Sequence, residues 1–128
     1  MPDPQPRPLR VVIAGLNQDE AADAARRAGG AAVDVIPSTD IEGALAVRDG
    51  SADAFIGLCQ SGSGGALAMA IGLLGRDRCI TVSRMGRSSS PQEIRAAVGD
   101  GRVAFGVAVD QIPGTVPAIV SALLDRPR

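Results

Sequence analysis

Seven consecutive residues, Cys59-Gln-Ser-Gly-Ser-Gly-Gly65, gather a thiol, two hydroxyls and three glycines between a strand-like run, Ala54–Leu58, and a helix-like run, Ala66–Leu74. A glycine-rich turn in that setting points backbone N–H groups into one small space, a common way for an α/β protein to hold an anion. Cys59, Gln60, Ser61, Gly62, Ser63, Gly64 and Gly65 therefore form the first candidate site. The bland alternatives are a tight turn whose glycines serve helix–sheet packing and a cysteine that is a small buried hydrophobe. A thiol beside a helix N-terminus, however, has its thiolate favoured. Cys59 is thus the candidate for proton transfer, with the amides of the turn holding an oxyanion.

Other residues extend this constellation. Arg84 and Arg87, in the segment Ser83–Ser90, can close bidentately on a phosphate or carboxylate, or stand as solvated loop charges. Asn17 follows the first strand-like run, and Asp110 follows the last, where a carboxylate serves as a base or caps a turn. Cys79 opens a strand and reads as inert core; a 59–79 disulfide is not expected, since the two would sit at opposite ends of a sheet.

The elements that must position these groups alternate. Strand-like runs Arg10–Ala14, Val33–Ile36, Ala54–Leu58, Cys79–Val82 and Val103–Val107 are separated by helix-like runs Gln18–Ala28, Asp40–Asp49, Ala66–Leu74 and Pro91–Val98, and a final helix spans Val116–Leu124. This pattern predicts a three-layer α/β fold: an open parallel five-stranded sheet, Rossmann- or flavodoxin-like, of order 2-1-3-4-5. Ligands in such sheets bind where the first and third strands part, which is where the cysteine turn falls. Residues 1–8, with four prolines, read as a disordered lead-in to a single α/β domain over 9–128. Three helix starts carry capping-box pairs: Asn17 with Glu20, Thr39 with Glu42 and Ser90 with Glu93. The third helix has no acid in its first turn, which leaves its positive end for an external anion.

Composition removes whole classes of function. The 128 residues contain thirteen arginines, fourteen acids and no lysine, for a net charge of −1, and two phenylalanines are the only aromatics. Neither a basic field nor stacking platforms are present for nucleic acid. Without histidine, tyrosine or lysine there is no imidazole base, phenol acid or Schiff-base amine. The two cysteines lack metal-ligand spacing, so no metal and no cofactor are expected. Residues 54–75 are uncharged, but glycines, serines and a glutamine split them into two short elements; membrane insertion is not expected, and a cytoplasmic location is.

From about Arg10 to about Leu123 the chain resembles the small bacterial YhfU-like family of unknown function, through Gly15-Leu-Asn17, Cys59-Gln-Ser-Gly-Ser-Gly-Gly-Ala-Leu-Ala-Met-Ala70, Leu74-Gly75 and Gly101-Arg-Val-Ala-Phe-Gly106. More distantly, Asp53–Gly64 is similar to the Cys-x-Thr-Gly-x-Gly turn of the ribose-5-phosphate isomerase B and galactose-6-phosphate isomerase family. That resemblance implies Cys59 as the base moving a proton between carbons and Ser61 to Gly65 as the cradle for the enediolate oxygen. The family also uses a histidine near the site, which this chain lacks.

The expected function is binding of an anionic metabolite, with phosphosugars as a candidate class, or isomerase-like proton transfer on it. The alternatives are a transport-coupled regulatory module resembling sugar-phosphotransferase B subunits, and a ligand-free assembly protein. The Ala66–Leu74 helix is apolar all round, so one face against the sheet cannot bury it; a homodimer or larger assembly through this helix follows.

Overall fold

The computed structural model describes residues 7–62 and 65–126. Seven strands and five helices lie in them: β1 Leu9–Gly15, α1 Gln18–Gly29, β2 Val33–Pro37, α2 Asp40–Arg48, β3 Ala54–Cys59, α3 Gly65–Leu74, β4 Cys79–Thr81, β5 Ser83–Arg84, β6 Arg87–Ser88, α4 Pro91–Gly99, β7 Ala104–Ala108 and α5 Ile112–Asp125. Five strands form one parallel sheet of order β2-β1-β3-β7-β4; β5 and β6 make a separate antiparallel hairpin.

The α/β architecture and the parallel sheet agree with the pattern of the sequence, but the order of its last two strands is corrected. The final strand, β7, lies beside β3, and β4 takes the edge that 2-1-3-4-5 assigns to the last strand. Burial gives the reason. Every residue of β7 is buried, which requires a neighbour on each side and cover on both faces. The three-residue β4 buries Cys79 but leaves Ile80 and Thr81 half-buried, as an edge strand does. That edge is not bare: the Arg102 guanidinium donates to the Cys79 carbonyl at 2.9 Å and to the Arg76 carbonyl at 3.0 Å.

Side chains alternate between two cores, as the pleat requires. Val11, Ile13, Ile56, Leu58, Val82, Phe105 and Val107 pack on one face with residues of α1, α4 and α5. Val12, Ala14, Phe55, Cys79 and Ala104 pack on the other with α2 and α3. Helices α1 and α3 thus leave β1 and β3 for opposite faces, which opens a crevice between the carboxyl ends of those two strands.

The helix starts differ from one another. Ser90 and Glu93 form the full capping box, the Ser90 N–H donating to Glu93 Oε1 at 3.0 Å and the Glu93 N–H to Ser90 Oγ at 3.1 Å. Thr39 Oγ1 accepts the Glu42 N–H. Asn17 departs from expectation: it adopts a left-handed conformation, φ 55°, and its side chain donates to Glu20 instead of capping the helix. That conformation is what turns the chain out of β1, and it carries the amide away from the helix N–H groups. α5 starts four residues earlier than expected because Pro113 occupies its first turn, where a missing N–H costs nothing. Of the lead-in, Arg7 and Pro8 are described; Arg7 makes a bidentate ion pair with Asp53 at 2.8 Å.

The backbone N–H of Ser90 holds the Glu93 carboxyl below its ordinary range. A folded-state value below the unfolded one gives stability that is present above the unfolded value, about 4.3 for glutamate, and lost as pH falls through the folded value. Glu93→Ala is expected to melt lower than the unmodified chain near neutral pH, with the gap closing as the pH falls below the ordinary glutamate range, checked by circular dichroism across that range. Gly106 tests the sheet interior: a Cβ there would collide with the Gly62 carbonyl and with Leu67. Gly106→Ala is expected to cost about 1–3 kcal/mol in urea unfolding with the slope unchanged.

Candidate functional site

The candidate residues converge at the carboxyl ends of β1, β3 and β7. Gly15, in register with Leu58, takes φ 109° and packs on the Leu58 backbone so closely that a Cβ would collide with its carbonyl; the Leu16 N–H then donates to the Leu58 carbonyl at 3.1 Å. The Asn17 turn is thereby hooked beside the cysteine turn. Below it, Gln18 Nε2 donates at 2.7 Å to the carbonyls of both Ile13 and Ser38, tying the turns after β1 and β2 together.

Cys59 closes β3 half-buried, in register with Ala108 of β7. By the alternation of the pleat it faces the α2 and α3 side. The chain turns back at once: the Gly62 N–H donates to Cys59 Sγ at 3.0 Å, and Cys59 Sγ lies 3.9 Å from Ser61 Oγ. An N–H aimed at sulfur is the arrangement that accommodates negative charge on it. Gly62 has φ 86° and is buried against the Ser83 carbonyl, where a side chain would collide. Gln60 and Ser61 are exposed. Ser63 and Gly64 lie outside the described residues; Gly65 begins α3, whose first turn has no acid.

Asp110 stands two residues beyond the strand partner of Cys59. Placing β7 beside β3 brings it next to the cysteine turn, where the predicted strand order puts it at the far edge. It is exposed, and its Oδ2 accepts the Gly86 N–H at 2.7 Å and Gln111 Nε2 at 3.2 Å. The carboxylate therefore latches the β5–β6 hairpin to the end of β7. A second latch joins Ser88 Oγ to Thr115 Oγ1 at 2.7 Å.

Arg84 and Arg87 stand on the β5–β6 hairpin, which meets the cysteine turn where Gly62 packs on the Ser83 carbonyl. They are paired across the hairpin, and with Thr81, Val82, Ser89 and Glu93 they line a recess of about 220 Å³. No described residue of the cysteine turn lines it. Two structural residues of the site carry little sequence signal. The buried Ser83 accepts the Ala108 N–H on its Oγ at 3.1 Å. Gly106 gives the turn room to descend on β7, and a glycine inside an otherwise apolar strand is the signal for such an approach.

The second thiol is different in kind. Cys79 is buried, and burial pushes its titration up, against smaller opposing contributions from Arg102 and Arg78. β7 lies between it and Cys59, and neither is in a disulfide. Among the described residues no three His, Cys, Asp or Glu side chains gather to hold a metal ion, and no helix is long and apolar enough to cross a membrane.

Residues 9–123 match the family described as protein of unknown function DUF2620. The uncharacterized protein YhfU of Escherichia coli K12 is 27% identical over 114 residues, covering 89% of this chain and 97% of that protein, and the YhfU protein of Shigella flexneri matches equally. Among solved structures, the type B ribose 5-phosphate isomerase of Leishmania infantum superposes with a TM-score of 0.66 at 17% identity, over 92% of this chain and 84% of that one. The ribose 5-phosphate isomerase of Thermotoga maritima gives 0.65 at 18%, over 93% and 88%. At these identities the likeness establishes a shared fold. From the burial difference between the thiols, iodoacetamide is expected to alkylate Cys59 in the native protein and Cys79 only after unfolding, read by peptide mass spectrometry.

Proposed function

The chain belongs to the DUF2620 family, and we propose that it binds a small anionic metabolite of the phosphosugar class at the turn after β3, with Cys59 as the group that moves a proton. The observation that carries this reading is the thiol of Cys59 receiving the Gly62 N–H at 3.0 Å at the head of a helix whose first turn holds no acid. The backbone there is set to stabilise negative charge and supplies none of its own. Support comes from the fold shared with enzymes named for ribose 5-phosphate isomerisation. In this reading Gln60, Ser61, Gly62, Ser63, Gly64 and Gly65 cradle the oxyanion, while the neighbouring Asn17 and Asp110 bound the ligand.

The phosphotransferase-like alternative is less favoured, because its cysteine follows the first strand and Cys59 ends the third. A homodimer accompanies the main reading. In α3, Leu67 and Ala70 are buried, but Ala68, Met69 and Gly72 are exposed and Ile71, Leu73 and Leu74 only partly covered, so α2 and the sheet leave an apolar strip for a second copy. A cytoplasmic location suits such a metabolite.

Ribose 5-phosphate and related phosphosugars should raise the melting temperature. A ligand at a hundred times its dissociation constant adds about 2.7 kcal/mol. Ser61→Asp, which places a carboxylate in the cradle, should remove most of that rise. Cys59→Ser should bind within a few-fold but lose exchange of the substrate carbon-bound proton with D2O, read by NMR. The reading fails if Ser61→Asp responds to every phosphosugar as the unmodified chain does. Sedimentation showing only monomer at micromolar concentration would remove the dimer.

A further inference from the structure

We propose a second anion site, separate from the cysteine turn: the recess of Arg84 and Arg87 at the β4 edge, which takes a phosphate-type oxyanion, free or as a phosphomonoester. It goes beyond the reading of the cysteine turn and does not depend on it.

Four observations carry it. Arg84 and Arg87 are directly opposite each other in the antiparallel hairpin, and like charges in that position repel. Neither guanidinium has an ion pair or hydrogen bond with a described residue; the two ion pairs among those residues are Arg7–Asp53 and Arg26–Asp23. A pair of guanidinium groups held together without an ion-pair partner is the arrangement that an oxyanion relieves, and two guanidinium forks match its geometry. Second, the surrounding segment is basic. Between Arg76 and Arg102 lie six arginines and three acids, whereas the rest of the chain has seven arginines and eleven acids.

Third, the recess is bounded and small. Its volume of about 220 Å³ is below that of pockets for drug-sized ligands. Glu93 is the acid within it. Its carboxylate feels the Arg87 charge, but its Oε1 is committed to the Ser90 N–H in the capping box. Glu93 therefore reduces the positive charge of the recess without forming an ion pair with either arginine. Fourth, the recess opens on the α4 face: Val82, which lines it, packs in the core with Ile94 and Val98. Cys59 faces the α3 side of the sheet.

Titration calorimetry of the full chain in low-salt buffer tests the site, with inorganic phosphate and methyl phosphate as separate probes. A saturable component is expected that is weakened roughly tenfold or more by each of Arg84→Gln and Arg87→Gln, as for loss of a charge-assisted hydrogen bond, and that is retained in Ser61→Asp. Tighter binding of inorganic phosphate would mark the free ion as the ligand, and tighter binding of methyl phosphate a phosphomonoester; either supports the site. In anion-free buffer the double variant should melt no lower than the unmodified chain, because repulsion has been removed. The proposal is overturned if neither probe binds, or if the double variant melts lower without anion, which would make the arginines structural. It is also overturned if Ser61→Asp abolishes phosphate binding while the arginine variants retain it; the cysteine turn alone would then be the anion site.

Discussion

The cysteine turn can descend onto the sheet only because two glycines meet there without side chains. Gly106 lies inside β7 beneath the Gly62 carbonyl, and Gly62 in turn packs against the Ser83 carbonyl. This backbone-to-backbone approach brings the Gly62 N–H to the Cys59 sulfur, and the positive φ of Gly62 is what lets the chain leave again toward α3. A residue with a Cβ at either point would lift the turn and separate the amide from the thiol. Packing constraint and chemical geometry are one feature here.

The pleat then distributes the chemistry. Cys59 follows the parity of Phe55 and faces α2 and α3, whereas Val82 follows that of Phe105 and leads into the hairpin on the α4 side. Asp110 lies between the two regions, with its carboxylate on the Gly86 amide. The hairpin is thus fastened to the end of β7 at its tip through Asp110, to α5 near its base through Ser88 and Thr115, and to β7 along its start through Ser83. These contacts fix where Arg84 and Arg87 stand relative to the cysteine turn.

Much of this was legible in the residues. Continuous apolar runs such as Ala54–Leu58 mark strands buried on both faces, and the glycines and capping pairs mark the helix ends; both are local signals. The resemblance of the Cys59 run to the isomerase turn agrees with the fold. The strand order was not legible, because it depends on which of two apolar strands is covered on both sides, and only β4's brevity and Thr81 hinted at an edge. Asn17 misled because its type suits both a helix cap and a left-handed turn, and the exit from β1 required the latter. The hairpin was hidden because strands of two residues carry no periodicity.

The guanidinium of Arg102 has a consequence for how copies of this chain can meet. Carbonyls along a sheet margin are templates on which another polypeptide can extend the ladder. On the β4 side the Cys79 carbonyl already accepts from Arg102, and the charged fork projects where an incoming backbone would lie. Edge-to-edge polymerisation is therefore obstructed at this margin by a single side chain.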